Sequence, residues 1–319
     1  MTVLSAVSLG LAVVLTVAGP ALLRGVARWC GPSARTLLAL WVLAPVGWGL
    51  AWVGAGLGVV AELWGPGVKG VVTACLDLAQ ALHRGEAGWV GLGVVVCGAA
   101  VGGRLLWVVA RRFRREVRWR RRQRRTLAAC ARSETVRRQR VWVVESPTPD
   151  AYCVPGGGLG VVVTRGAVEA LTPRQMDAVL AHEWAHLRGR HHLLVSWVRL
   201  LCEAFPGVPL LRAAVEEVTE LVEWAADDYA VRRVGVGPLA HAVGTMAGPG
   251  PVRHGPAVLA ASGASPVRRV RRLVGPAGAV GRTRRTVCAG VLAAVVALPV
   301  LAVSVTAAGV AAAQCACAL

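Results

Sequence analysis

The sequence predicts a mostly α-helical, multi-pass membrane protein with four transmembrane helices and one cytoplasmic α+β domain. Two observations lead to this prediction. First, 55% of the 319 residues are hydrophobic and the mean hydropathy is +0.55, because long uncharged blocks alternate with arginine-rich ones. Second, strand-like runs and amphipathic helical runs occur together between residues 111 and 285, after the third apolar block.

Four apolar blocks are long enough to cross a bilayer, which takes about 20 mostly apolar residues. They are residues 1–23, 36–61 and 87–110, which make up the region 1–110, and a block within 286–319 that is densest at 288–310. The third block contains a single charge, Arg104, near enough to one end for its side chain to reach the headgroups. The first block could instead be a signal peptide, although it lacks a basic start.

The positions of the arginines predict the orientation. The runs RRFRREVRWRRRQRR (111–125), RRVRR (268–272) and GRTRR (281–285) all fall on one side of the membrane if the N-terminus is outside, and an excess of Arg and Lys marks the cytoplasmic side. We therefore expect a cytoplasmic domain at 111–285, and a fourth helix with a short outer tail at 286–319. The net charge of +19 would also suit nucleic acid. Most arginines flank apolar blocks, however, so no direct nucleic-acid contact is expected.

The glycines and cysteines add little to the prediction of helix packing, disulfides or metal binding. Gly54 and Gly58, and Gly98 and Gly102, form G-x-x-x-G pairs that would let helices pack closely, but a chain with 38 glycines also offers such pairs by chance. The nine cysteines are scattered without a C-x-x-C pair, so neither a disulfide scaffold nor a cysteine zinc site is expected.

In the cytoplasmic domain, VWVV (141–144) and LGVVVT (159–164) predict short strands, with VPGGGLG interpreted as a hairpin turn. The LGVVVT strand could pair with an extended substrate or be an ordinary strand of the sheet. A helix is predicted to start after Thr172, with Pro173 in its first turn and Gln175 completing a capping box. A second helix is predicted over about 211–233, and the proline-interrupted stretch 193–211 between them predicts a bent segment against the membrane.

The first of these helices carries the pattern H-E-x-x-H at His182, Glu183 and His186. The histidines are one helical turn apart, so both imidazoles point the same way and can share one tetrahedral ion. Glu183 lies beside the open side of that ion, where its carboxylate can take a proton from bound water. The pattern could occur by chance, but its place on a capped helix favours a metal-dependent hydrolase.

Two residues could complete the coordination. In HEWAHLRGRHH, a turn at Gly189 would make His192 the third ligand, as in H-E-x-x-H-x-x-G-x-x-H proteins. In ELVEWAADDYAVRR, Glu223 and Asp227 lie one turn apart on the second helix. Glu223 could then bind the metal, while Asp227 holds the free ring N–H of a ligand histidine. A solvated acidic face is the alternative for these two carboxylates, because more acidic residues precede them: Glu216, Glu217 and Glu220.

The segment from AYCVPGGGLG to HEWAHLRGRHH, followed by LVEWAADDYAVRR, resembles the integral-membrane zinc metallopeptidases of the BlaR/MecR type over about residues 150–235. More distantly, it is similar to HtpX-like gluzincins. The resemblance implies a gluzincin-like domain with one Zn²⁺ ion and these roles: metal ligands His182, His186 and Glu223, catalytic base Glu183, and supporting residue Asp227. His191 and His192 would then be polar residues beyond the helix end.

The same resemblance implies a protease that faces the cytoplasm and cuts a protein substrate, with a BlaI/MecI-type transcriptional repressor as the expected one. BlaR/MecR sensors carry an extracellular penicillin-binding domain after the last span, which this sequence lacks. Sensing through such a domain is therefore not expected.

Two other functions stay open. One is an HtpX-like protease that removes damaged membrane proteins. The other is a non-catalytic membrane receptor or scaffold with a structural zinc site, which would not need a carboxylate beside an open coordination position. The residue that stabilises the developing oxyanion stays open among Tyr229, Arg232 and His241.

Overall fold

The computed structural model describes residues 3–30, 33–64, 67–84, 89–155, 160–247 and 266–275, with a few further positions between 286 and 301. The predicted mostly helical class is confirmed, with one four-stranded sheet in these residues. The elements in chain order are α1 (Val3–Val17), α2 (Gly19–Cys30), α3 (Ala34–Trp64), α4 (Gly67–Arg84), α5 (Trp89–Cys130), β1 (Ala131–Val136), β2 (Gln139–Val144), β3 (Ala151–Val154), β4 (Gly160–Thr164), α6 (Arg165–Ala170), α7 (Pro173–Arg188), α8 (His191–Ala204), α9 (Pro209–Val234), α10 (Val236–Met246) and α11 (Pro266–Val274).

The first predicted span, residues 1–23, is not one straight helix. The chain bends by 76° between α1 and α2. Pro20 explains the break, because its ring nitrogen has no hydrogen to donate within the helix. The hydroxyl of Thr16 donates to the Ala12 carbonyl at 2.7 Å and accepts the indole N–H of Trp48 at 2.9 Å. This contact fixes the end of α1 against α3.

Four transmembrane helices are not confirmed. The second predicted span lies in α3, whose residues Ala34–Ala61 are apolar and long enough to cross a bilayer. The bent pair α1–α2 would add a second crossing if it counts as one span, and no other helix among the described residues passes the same test. The third predicted span, 87–110, begins outside the described residues and otherwise lies in the first half of α5. The fourth lies almost wholly outside the described residues.

Helix α5 continues without a break from the apolar third block into the basic run. Arg104, which the sequence analysis expected to reach the headgroups, contacts the end of α8. Its Nε donates to the carbonyl of Ala204 at 2.7 Å and its Nη2 to that of Glu203 at 2.8 Å. These carbonyls lie in the last turn of α8, where a helix has no N–H groups of its own to satisfy them. Arg104 therefore caps α8 and ties it to α5.

Only one of the predicted glycine pairs makes a close contact in the described residues. A Cβ on Gly58 would lie 2.1 Å from the Ser5 hydroxyl oxygen, so α1 and α3 approach closely there. Nothing described lies within 4 Å of a Cβ placed on Gly98 or Gly102. The close approach predicted for helix packing thus applies to α3 and not to α5.

The sheet has the order β1-β2-β4-β3, with β4 parallel to β2 and antiparallel to β3. Strands β2 and β4 agree with the predicted strands, whereas β1 and β3 were not predicted. Because β4 pairs with a strand on each side, it has no free edge, so of the two alternatives for LGVVVT the ordinary strand of the sheet is the one observed. VPGGGLG joins the antiparallel neighbours β3 and β4, as expected of a hairpin, although residues 156–159 lie outside the described ones.

A shared hydrophobic core joins the N-terminal helices to the region that carries the site. One cluster contains residues from α1, α2 and α3 together with α8 and α9, and its largest fully buried members include Trp41, Leu210 and Leu211. The rings of Trp48 and Phe205 meet edge to face at 5.3 Å. A second cluster lies between the sheet and α7. Helix α9 therefore packs against both α3 and α7, and the predicted bend in 193–211 falls between α8 and α9.

Candidate metal centre

Helix α7 positions the H-E-x-x-H residues, and it begins as the sequence predicts. The Thr172 N–H donates to the Gln175 side chain at 2.8 Å, and the Gln175 N–H donates to the Thr172 hydroxyl at 3.5 Å. Met176, Val179 and Leu180 are buried in the cluster against the sheet. The helix period then places His182, Glu183 and His186 on the buried side of α7 as well.

His182, His186 and Glu223 come together in the interior. The two Nε2 atoms are 3.1 Å apart, and each lies 3.5 Å from one oxygen of the Glu223 carboxylate. Ligand atoms bonded to a tetrahedral zinc at about 2.0–2.1 Å lie about 3.3 Å from one another. Within the described part of the chain, this is the group of His, Cys, Asp and Glu side chains with metal-ligand spacing. The three residues could therefore hold one metal ion.

His192 is not brought to this triad. Its side chain lies between α8 and α5, in a groove that Glu116 and Arg120 also line. Successive residues of a helix point about 100° apart, so His191 and His192 at the start of α8 face different neighbours. The place that the alternative pattern assigns to His192 is taken by Glu223 from α9.

His191 contacts the site, contrary to the expectation that it is an outlying polar residue. Its Nδ1 lies 2.9 Å from the Nδ1 of His186, and its side chain is buried. If His186 binds a metal through Nε2, its Nδ1 carries the hydrogen and donates it to His191. The close turn depends on Gly189, because a Cβ there would lie 2.3 Å from His191 Nε2 and 3.0 Å from the Ala185 carbonyl.

Asp227 holds the other histidine, in the arrangement the sequence predicts for it. Its Oδ1 accepts the Nδ1–H of His182 at 3.0 Å. The same carboxylate receives two bonds from Arg269, from Nε at 2.9 Å and from Nη2 at 2.5 Å. Arg269 Nη1 also lies 3.6 Å from a Glu223 oxygen. Arg269 Nη2 is 3.4 Å from His182 Nδ1, but that nitrogen carries the hydrogen donated to Asp227 and cannot accept another from Arg269.

Arg269, like His191, is a site residue that the sequence did not predict. The basic run 268–272 was assigned to the cytoplasmic flank of the fourth span, yet only 4% of Arg269 is exposed. Four arginines stand within this five-residue run, and Asp227 is 42 residues away along the chain. No local signal distinguishes Arg269 from its neighbours.

The buried charges of the site match a divalent cation. Three carboxylates (Glu183, Glu223 and Asp227) and one guanidinium (Arg269) are buried together. If all are ionised, three negative charges and one positive charge leave two negative charges uncompensated. Such charges are costly away from water unless they are paired or coordinate a metal. One Zn²⁺ ion would make the site neutral, so the residues present fit that ion.

Without a metal ion, bound protons neutralise part of this negative charge. Burial raises the pKa of Glu183 to about 8. Burial and Arg269 lower the pKa of His182, but its bonds to Asp227 and Glu223 outweigh them and raise it to about 9. Burial lowers the pKa of His186 to about 3. A metal ligand must be deprotonated, so binding of a metal at neutral pH releases the proton of His182.

Glu183 faces a small cavity of about 80 Å³ beside the triad, which His182, Glu223 and Arg269 also line. Its Oε2 is buried and has no hydrogen-bond partner in the described structure. None of the three oxyanion candidates lines this cavity. Tyr229 packs with Arg188 and Arg233, and both Arg232 and His241 are exposed. Arg269 is the cationic side chain that does line it.

Comparison with known proteins agrees with a metallopeptidase site. Residues 115–248 match the family model described as Peptidase family M48. A 62-residue stretch is 37% identical to a protease HtpX homolog of Thermoplasma acidophilum, covering 19% of this chain and 20% of that protein. An 88-residue stretch is 31% identical to the chloroplastic plastoglobule-localized metallopeptidase 48 of Arabidopsis thaliana, covering 26% of each. An 89-residue stretch is 29% identical to a protease HtpX homolog of Pelotomaculum thermopropionicum, covering 27% and 28%.

These matches support an M48-type metallopeptidase region and the distant HtpX resemblance seen in the sequence. The BlaR/MecR type is not confirmed. The chain spans 20 to 28% of the length of these relatives, and no solved structure matches it.

Proposed function

We propose that this protein is a membrane-bound, zinc-dependent endopeptidase of the HtpX-like kind, with its catalytic region in the cytoplasm. One observation carries the proposal: a carboxylate with an unpaired buried oxygen stands beside two imidazoles and a third ligand at zinc-like spacing. A structural zinc site is closed by four protein ligands, whereas this site has three, and the carboxylate beside them would face an open coordination position. The non-catalytic receptor or scaffold is therefore the weaker alternative.

Zinc held by His182, His186 and Glu223 would supply a Lewis acid that polarises the scissile carbonyl and lowers the pKa of water to about 7. Glu183 acts as the base: it takes a proton from the attacking water and then delivers it to the leaving amine. Asp227, held by Arg269, keeps His182 in the tautomer that presents Nε2. The small cavity leaves little room for bulk water around Glu183.

We propose that an extended stretch of protein substrate pairs with β3, in place of the LGVVVT strand. Among the described residues β3 is at the edge of the sheet, although its four residues are buried, and its first residue, Ala151, lines the cavity together with Asp150. Strand addition supplies main-chain hydrogen bonds without requiring a particular sequence. That property suits a protease that acts on many damaged proteins.

Two physiological roles are possible for such a protease, and they differ in the substrate that it cuts. We favour removal of damaged membrane proteins, because HtpX homologs are among the relatives. A BlaI/MecI-type repressor remains a prediction that the matches do not support. Accumulation of tagged misfolded membrane proteins after deletion of the gene would favour the first role, whereas cleavage of a repressor encoded beside the gene would favour the second.

The direct test is Glu183→Gln in the full chain purified in detergent. The variant should keep about one zinc per chain, because the ligands remain, and should lose cleavage of an unfolded protein substrate by roughly 10²–10⁴-fold. Metal content is measured by elemental analysis and cleavage by gel. Glu169→Gln, a matched change at an exposed position of α6, should behave as wild type. Cleavage by Glu183→Gln at the wild-type rate would reject the mechanism.

A further inference from the structure

A groove of about 580 Å³ lies between α5 and α8, on the side of α8 away from the metal centre. The two helices run antiparallel, because Arg104 and Arg112 meet Glu203 at the end of α8 while Arg120 lies in the groove near His192 at its start. The groove therefore begins where the predicted third span ends and the basic run of α5 begins. Its volume is in the range of small-molecule sites.

The charges around this groove do not balance. Its lining contains two glutamates and four arginines: Glu116, Glu203, Arg112, Arg115, Arg120 and Arg199. Arg112 pairs with Glu203 through two bonds at 2.9 and 2.7 Å, and Arg120 pairs with Glu116 at 2.6 Å. Both acidic groups are thereby used. Within the described residues, Arg115 and Arg199 have no carboxylate partner.

Arg199 is the more informative of these two cations, because it is half-buried. Burial and the neighbouring Arg112 lower the pKa of Arg199, and Glu203 offsets them only in part. Two guanidinium groups that lie close together and are partly buried repel each other. An anion that binds to both offsets this repulsion. The groove thus offers a place for a negative group beside Arg199, and Arg115 lines the same groove.

Part of the groove wall is apolar: Val109 and Phe113 line it from α5, and Leu106 continues their face of the helix beyond the groove. Leu106, Val109 and Phe113 follow one face of α5 at helical spacing, and they are 73%, 46% and 68% exposed. Leu193 and Trp197, also exposed, face the groove from α8. The α5 stripe starts inside the predicted span and ends at the arginines. Its course matches that of an acyl chain leading up to a headgroup.

We propose that the α5–α8 groove binds an anionic phospholipid, with the phosphate between Arg115 and Arg199 and one acyl chain along the α5 stripe. Charge complementarity and the exposed stripe together favour a lipid over an acidic peptide, which would leave the apolar wall in water. Trp197 suits the interfacial depth, where its ring can be apolar on one side and polar on the other. The proposal rests on the proposed membrane attachment and is independent of the peptidase activity.

The test is lipid titration of the full chain in detergent by native mass spectrometry, in the Glu183→Gln background so that the protein is not degraded. Phosphatidylglycerol should bind at least tenfold more tightly than phosphatidylcholine. Arg115→Gln and Arg199→Gln should each weaken phosphatidylglycerol binding about fivefold, since one cation near an anionic lipid surface contributes about 1 kcal/mol. Arg118→Gln, an exposed arginine of α5 outside the groove, should change it less than twofold.

Trp197→Ala should weaken the binding of both lipids, because it removes an apolar side chain from the groove and leaves the charge of the groove unchanged. Unchanged melting temperature and zinc content would show that the variants are folded, and the exposed Arg115 gives an answer even if Arg199→Gln is unstable. Equal binding of the two lipids, an equal loss in Arg118→Gln, or displacement by equimolar glycerol phosphate or an acidic peptide would each overturn the proposal. Release of the wild-type protein from membranes by alkaline carbonate would instead count against membrane attachment.

Discussion

At the scale of single residues, the candidate centre depends on what holds each imidazole from behind. Asp227 accepts from the Nδ1 of His182, and His191 lies against the Nδ1 of His186. A partner at Nδ1 fixes the tautomer and the ring orientation, so that Nε2 faces the metal. Loss of such a partner typically lowers metal affinity about 10–100-fold. Both candidate ligand histidines therefore depend on residues outside the ligand triad.

Gly189→Ala tests the contact between His191 and His186 without changing any charged group. The new methyl group would stand 2.3 Å from His191 Nε2 and must push that ring away from His186. Zinc affinity should fall about tenfold, measured by competition with a chelator. Gly244→Ala in α10 is the matched control, because nothing described lies within 4 Å of a Cβ there. Equal zinc affinity in the two variants would mean that His191 does not support the ligand.

At the scale of elements, the short helix α11 completes a site built mainly by α7 and α9. Three arginine–carboxylate pairs attach it: Arg268–Glu220, Arg269–Asp227 and Arg272–Asp228. Only the middle pair is fully buried, and Arg269 and Pro266 also line the cavity. The outer pairs are partly in water, where such pairs contribute about 0–1 kcal/mol. The buried pair is therefore the important attachment.

Arg269→Met and Arg268→Met separate the two kinds of pair on one helix. Arg269→Met leaves the buried carboxylate of Asp227 without its cation and should cost roughly 3–5 kcal/mol of stability. Arg268→Met should cost less than about 1 kcal/mol. Chemical unfolding of the full chain in detergent measures both. If the two variants lost the same amount, Arg269 would be no more than a surface cation.

At the scale of the whole molecule, the apolar N-terminal helices and the candidate site are parts of one packed structure. The first half of α9 packs against α1 and α3 through Leu210 and Leu211, and its second half carries Glu223 and Asp227. Arg24 of α2 also pairs with Glu217 of α9 at 2.8 Å. A rigid helix that joins two cores transmits a loss of packing in one to the geometry of the other.

Leu211→Ala should therefore disturb the metal centre from a distance. Leu211 is fully buried, and truncation of a buried leucine costs about 2–5 kcal/mol. We expect a lower melting temperature and loss of zinc in the same thermal transition, followed by fluorescence and by a zinc-sensitive dye. Leu76→Ala in α4, where 53% of the leucine is exposed, is the control and should melt as wild type. Zinc release in a separate, unshifted transition would show that the two cores are uncoupled.

Several elements could be predicted from local sequence patterns. The capping box at Thr172, the turn of helix between His182 and His186, and the apolar runs of α3, β2 and β4 each depend on residues within a few positions of one another. Their physics is short-range, so the sequence carries it directly. The bend at Pro20 has an equally local cause. It was not predicted, because the length of the apolar block 1–23 suggested an unbroken span.

The choice between Glu223 and His192 could not be made from the pattern of residues, because both satisfy a reasonable spacing. The family resemblance implied Glu223, and the packing of α9 against α7 places its carboxylate 3.5 Å from both imidazoles. His191 and Arg269 were missed for the same reason. One depends on a turn that brings the start of α8 back to α7, and the other on a contact across 42 residues.

The sequence by itself determined a helix with two imidazoles on one face, a carboxylate between them and a second helix with two acidic groups one turn apart. These properties follow from helical periodicity. Only the tertiary structure brought the Glu223 carboxylate to the imidazoles, buried Arg269 beside Asp227, and left β3 at the edge of the described sheet. Those outcomes depend on how separate elements pack, and packing is a property of the whole chain.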